Sequence, residues 1–120
     1  MADYNSIFTG AEIDDAIDKV RFPVLAITSK TASFNFSTAE LNKLIRANSS
    51  SAIVCTIPPA STFDAAVGTV LLVWREGTGA VSFAAGSGVT LRAGNGLSIT
   101  AQYRYGVAIK IDTNLWSVVC

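Results

Sequence analysis

From residue 24 onward the chain is a series of short apolar, β-branched runs, each cut off by glycine, asparagine, serine or proline. That pattern belongs to strands. The runs fall at 24–28, 34–36, 44–46, 52–57, 69–75, 81–83, 89–91, 97–100, 107–111 and 115–119. Strands recurring about every 8–12 residues between turn signals predict a mainly β fold, a small antiparallel β-sandwich or barrel. Pro58-Pro59 ends the run at 52–57, because proline has no N–H to offer a ladder. Gly77-Thr78-Gly79 predicts a tight hairpin connection. Ser37-Thr38-Ala39-Glu40 has the spacing of a capping box and predicts a single helical turn; residues 63–67 predict another. The glycine-rich turns at 84–89 and 91–97 are each followed by an apolar strand, but two copies fall short of the three or more that a solenoid needs.

The first 22 residues read differently. Ile13, Ala16, Ile17 and Val20 recur at i, i+3, i+4 and i+7, so they share one helical face, while Asp14, Asp15 and Asp18 point away from it. Thr9 and Glu12 have the spacing of a second capping box, and Pro23 marks a stop. So short a helix is marginal alone in water and has to dock on something. Charge divides at the same place. Residues 1–20 hold five acids and one base, net −4, whereas residues 21–120 hold eight bases and four acids, net +4. The expected organisation is an acidic helical arm over 1–22 and a β domain over 23–120.

Composition narrows the function classes. The chain is 50% hydrophobic and only 15% charged, against about 25% charged in a typical soluble domain. That apolarity has to be hidden inside the fold, between subunits or against a partner. Zero net charge gives no global field toward nucleic acid or acidic lipid. There is no histidine, which removes Ser-His-Asp and Cys-His catalytic sites and the usual zinc sites. Two cysteines, Cys55 and Cys120, make no disulfide framework. The longest uncharged stretch, 47–63, contains two prolines and several serines, and spanning a bilayer takes about 20 mainly apolar residues. The N-terminus lacks the basic start and apolar run of a signal peptide. The expectation is a non-enzymatic protein with no cofactor, no metal, no nucleic-acid partner and no membrane partner, kept in a reducing cytoplasm.

Several motifs admit a bland reading beside a functional one. The glycine pairs around Thr78, Ser87 and Asn95 lack the Lys-Ser/Thr ending of a phosphate loop and read as turns. Trp74 and Trp116 are candidates for a sugar site or, in the favoured reading, for core or intersubunit packing. In Tyr103-Arg104-Tyr105, strand alternation puts both tyrosines on one face and Arg104 on the other. That stripe is a candidate interface or recognition surface. No cluster of exposed aromatics is evident. Cys55 reads as core, and Asp64, Glu76 and Asp112 show no pairing that argues for acid catalysis.

The runs Leu41-Asn42-Lys43-Leu44-Ile45-Arg46 and Ile53-Val54-Cys55-Thr56-Ile57-Pro58, with Val81-Ser82-Phe83-Ala84-Ala85-Gly86-Ser87-Gly88-Val89-Thr90-Leu91 and the closing Leu115-Trp116-Ser117-Val118-Val119, resemble a β module of tailed-bacteriophage virion proteins. That module alternates strands with glycine-rich turns, carries a tryptophan near its end, and occurs in fibre proteins and small accessory virion proteins. The opening Phe8-Thr9-Gly10-Ala11-Glu12-Ile13-Asp14-Asp15-Ala16-Ile17 is similar to openings of phage fibre and head-associated proteins.

The resemblance implies a virion component that binds and assembles without doing chemistry. The chain begins with methionine and shows no shaft, repeat or heptad region, so it reads as a complete small product. The expectation is a capsid decoration (cement) protein. It would be made in the host cytoplasm, sit on the capsid surface, act as a homotrimer and bind the major capsid protein. In this reading Ile13, Asp14, Asp15, Ile17, Asp18 and Val20 contact the capsid. A tail-associated receptor-binding tip and a carbohydrate-binding module are the alternatives.

Overall fold

The structure, a computed structural model, describes residues 24–120; the helical arm expected over 1–22, with its capsid-contact residues Ile13, Asp14, Asp15, Ile17, Asp18 and Val20, lies outside the described residues. Ten strands and one 3-10 turn follow in chain order. They are β1 Ala26–Lys30, β2 Phe34–Asn35, the turn Thr38–Glu40, β3 Lys43–Ala47, β4 Ile53–Ile57, β5 Val70–Arg75, β6 Val81–Ala85, β7 Thr90–Ala93, β8 Ser98–Ile99, β9 Tyr105–Asp112 and β10 Leu115–Val119. A six-stranded sheet, β1-β3-β5-β9-β10-β7, faces a four-stranded sheet, β2-β4-β6-β8. The fold is mainly β and two-layered, as the strand spacing predicts.

The pairing corrects the antiparallel expectation. Five of the eight strand pairings are parallel. Up to β9 each strand passes to the opposite sheet, and through β6 ladder partners lie one coil apart, β1-β3-β5 and β2-β4-β6, while β7 pairs with β10. Ala26 pairs with Lys43, Leu44 with Leu72, Phe34 with Cys55 and Ile53 with Val81. The chain thus winds solenoid-like through three coils, an arrangement that its glycine-rich turns alone argued against. The coils are unequal, 17 positions from Ala26 to Lys43 and 28 from Leu44 to Leu72, so no fixed period marks them. Neither sheet is closed into a barrel. Only β9 and β10 are both consecutive and adjacent, a hairpin turned at Thr113-Asn114 with Asn114 at φ 56.

Two local expectations also change. Gly77-Thr78-Gly79 is a corner between sheets, since β5 pairs with β3 and β9 while β6 pairs with β4 and β8. Glycine is required there by close approach of one coil to the next. A Cβ on Gly79 would lie 2.1 Å from the Ser51 carbonyl oxygen, and one on Gly77 2.2 Å from that of Ser49. The Gly79 N–H uses this proximity to donate to the Ser49 carbonyl at 2.8 Å. The turn expected at 63–67 forms slightly upstream, where the Thr62 and Phe63 N–H groups both donate to the Pro59 carbonyl.

Alternation buries one face of each sheet. Ile45, Leu71, Val73, Ala108, Trp116 and Val118 meet Ile53, Cys55, Ile57, Val81, Phe83 and Ile99 across the interlayer space. Trp116, 2% exposed, stacks on Phe63 at 6.1 Å, and Phe36 stacks on Phe83 at 6.3 Å. Lys110 enters the same layer and stays there because its Nζ donates to the Ala65 carbonyl at 2.6 Å.

The capping box forms as the sequence predicts. The Ser37 hydroxyl accepts from the Ala39 N–H, and the Ser37 N–H donates to Glu40 Oε1 at 2.7 Å. Glu40 is buried, and Lys30 Nζ donates to its other oxygen at 3.2 Å. Burial pushes this carboxyl up, but the two Ser37 donors and Lys30 outweigh it and hold it below the usual range. A depressed carboxyl stabilises the fold above its ordinary pKa and loses that contribution as pH falls through the folded value.

Two outcomes are expected. Gly79→Ala lowers stability by about 1–3 kcal/mol because backbone has to shift, whereas Gly94→Ala, with open space around it, changes stability by less than about 1 kcal/mol; urea denaturation reads both. Glu40→Gln costs about 1–2 kcal/mol at pH 7, and the gap to wild type narrows as pH drops below 4.5.

Candidate functional site: the outer face of the six-stranded sheet

The side chains that alternation turns away from the core of the larger sheet are also apolar. Ile27, Leu44, Leu72, Val107 and Val119 stand in register across β1, β3, β5, β9 and β10. Ile27 and Val119, at the two ends of this row, are 62% and 59% exposed. A second row joins Val70 to Ile109, and Ile111 extends it along β9. The charged members are few. Arg46 donates through Nε and Nη2 to the two carboxylate oxygens of Glu76, and Arg92 lies at the margin on β7. Monomers rarely leave a contiguous apolar patch beyond a few hundred Å² uncovered; larger ones mark interaction surfaces.

A third row carries Ser29, Arg46, Trp74 and Tyr105. Here an aromatic group forms that the sequence did not disclose. Trp74 is half-buried, with the Tyr105 and Tyr103 rings each 6.4 Å away. Tyr103 and Tyr105 are exposed. They do not converge by strand alternation, because Tyr103 precedes β9 and has φ 67. Its N–H donates to the Arg75 carbonyl at 2.7 Å, and the Arg75 N–H donates to the Arg104 carbonyl at 3.0 Å, which clamps this turn to the end of β5. The Arg104 side chain is exposed beside the group. Trp116, the other tryptophan, belongs to the core.

The titratable groups offer little reactivity. Burial pushes the Cys55 thiol up to about 12, and burial also raises Cys120. The Glu76 carboxyl is held below its usual range by the Arg46 guanidinium. Among the described residues no three His, Cys, Asp or Glu side chains gather into a metal site, and no helix is long and apolar enough to cross a membrane. A cleft of about 480 Å³ opens beside the apolar row, lined by Leu25, Leu41, Val70 and Leu72 with Lys43 and Asp64.

Sequence reasoning named Tyr103, Arg104 and Tyr105 as a stripe but missed Trp74 as their companion and missed the apolar row. Long-range strand registers create the row, and the β5–β9 register together with the left-handed turn at Tyr103 creates the aromatic group. No protein-family model matches the chain, and no curated protein or solved structure matches it.

Proposed function

We propose that this chain is a non-catalytic component of a bacteriophage virion, a decoration protein that assembles as a homotrimer and binds the major capsid protein at the capsid surface. The phage attribution rests on the sequence resemblance. The observation that supports assembly is the apolar outer face of the larger sheet. Strands buried on both faces read as near-continuous apolar runs, and those with one wet face alternate. Val70-Leu71-Leu72-Val73 in β5 reads as the first kind, although in the single chain only one of its faces is covered. A second layer of protein completes it.

Copies of the same chain suit this role because the face carries almost no unpaired charge and a closed symmetric assembly covers it once on every subunit. A stable interface covers about 800 Å² per partner, an extent in keeping with rows that cross five strands. Three copies would match a three-fold position on an icosahedral shell. A protein that binds only the assembled shell stabilises it by mass action.

The acidic arm is the proposed capsid anchor. Ile13, Ile17 and Val20 would supply most of the affinity, at about 1.5–3 kcal/mol each. Asp14, Asp15 and Asp18, paired with basic capsid side chains at the surface, would add about 0–1 kcal/mol each. Three arms engaged together multiply that affinity.

Sedimentation equilibrium is expected to give the mass of three chains at micromolar concentration, and a monomer mass overturns the assembly proposal. Ile27→Lys with Val119→Lys, both at exposed positions, should keep the β circular-dichroism signal and weaken association about 100-fold or more, since an unpaired ammonium in an apolar interface costs more than the about 1–3 kcal/mol of a neutral polar group. Deleting residues 1–22 should leave the trimer folded and abolish co-sedimentation with empty capsids. If the truncated protein decorates capsids at wild-type occupancy, the anchor lies in the β domain.

A further inference from the structure

We infer that Trp74, Tyr103 and Tyr105, together with the Arg46–Glu76 pair, form a saccharide-binding site that takes pyranose units of a polysaccharide. This site is independent of the trimer and capsid reading, because it uses the end of the sheet and leaves the central apolar rows aside.

A pyranose ring has an apolar face of C–H groups and a rim of hydroxyls. Recognition therefore needs a flat aromatic surface beside fixed donors and acceptors. The three rings supply the first. The Tyr103 and Tyr105 centroids each lie 6.4 Å from that of Trp74, at interplanar angles of 38° and 29°, so three rings gather at one place on the sheet. Arg46 supplies the second. It stands beside Trp74 in register, and Glu76 holds its Nε and Nη2. Ser29 continues the row beyond Arg46. Glu76 is itself placed by its neighbours, since Gln102 Nε2 donates to the Glu76 carbonyl at 2.7 Å. Polar groups fixed before binding lose less freedom when a ligand arrives.

The backbone at Tyr103 adds an independent observation. A bulky side chain at φ 67 is unfavourable, and glycine or asparagine is the usual occupant. Tyr103 is 65% exposed, so core packing does not explain a tyrosine there. Strain of this kind collects where a side chain must be presented to a ligand.

Other ligands fit less well. A nucleic acid would stack on the rings, but its phosphates need free cations. The Arg46 charge is answered by Glu76, which leaves the exposed Arg104, among the described residues, as a single cation beside the rings, too little for a run of phosphates. Arg75 is spent on the carbonyls of Gly77, Thr78 and Ile99. A neutral or weakly acidic sugar needs no such charge.

The test uses the full chain in affinity electrophoresis through gels containing dextran, xylan, soluble chitosan or purified bacterial O-polysaccharide, followed by titration of tryptophan fluorescence with the retarding polymer. Retardation by at least one polymer is expected, with a change in emission that disappears in Trp74→Phe; Trp116 is buried and serves as the internal control. Trp74→Ala should weaken binding at least tenfold. Tyr103→Gly relieves the left-handed backbone, so it should hold or raise the melting temperature while still weakening binding, a combination that a purely structural tyrosine does not give. Capsid co-sedimentation is measured separately and should be unchanged in both variants. No retardation by any of the four polymers overturns the proposal, as does retardation that persists unchanged in Trp74→Ala and Tyr103→Gly. If Trp74→Ala instead lowers the sedimentation mass, the aromatic group belongs to the contact between copies and the saccharide site is disproved.

Discussion

Gly77 and Gly79 lie against the backbone of Ser49 and Ser51 at distances that no side chain tolerates, and the architecture depends on that contact between coils. One corner continues directly onto the next. The Glu76 N–H donates to the Ala47 carbonyl at 2.9 Å and the Gly79 N–H to the Ser49 carbonyl at 2.8 Å, so the ladder of one sheet runs around the bend toward the other. On the far side of the smaller sheet, the Gly86 N–H donates to the Ile57 carbonyl in the same way. Because both sheets share these bends, a corner that opened would disturb the β3–β5 and β4–β6 registers together. The side chains between the layers then have fixed places, with Trp116 against Phe63 and Phe36 against Phe83.

The same registers place the outer features. Pairing Leu44 with Leu72 and Leu72 with Val107 puts apolar residues from neighbouring strands in one row. One step of two residues along β5 brings Trp74 opposite Tyr105. An apolar centre and an aromatic end with oriented polar groups are chemically different surfaces. They suit different partners, which is why a self-association role and a ligand role can share a sheet without competing for the same side chains.

Much of the fold was legible in the sequence because strand formation is a local matter. The runs at 52–57, 107–111 and 115–119 sit within a residue or two of β4, β9 and β10, and Ser37 and Glu40 form the capping box that their spacing announces. Pairing direction was not legible. A strand with one covered face alternates in the same way whether its neighbour is parallel or antiparallel, and coils of 17 and 28 positions leave no repeat to detect. The apolar row was present in the continuous run at 69–75 but was read simply as a strong strand. The aromatic group was hidden for another reason. Tyr103 reaches Trp74 through a left-handed backbone and a long-range register, and neither is written in the alternation of Tyr103, Arg104 and Tyr105.

The reversal at β9 gives the stack a direction of growth. β10 is enclosed, with β9 antiparallel on one side and β7 parallel on the other, and the open ladder at that end of the sheet belongs to β7. Among the described residues, β1 lies at a sheet edge with β3 as its partner, and β2 lies at the corresponding edge of the smaller sheet. A duplicated coil spliced in ahead of β1 would continue the parallel winding directly, whereas one added after β10 would have to cross β7 to reach a free edge. Lengthening of such a domain by gene duplication is more direct at β1 than at β10.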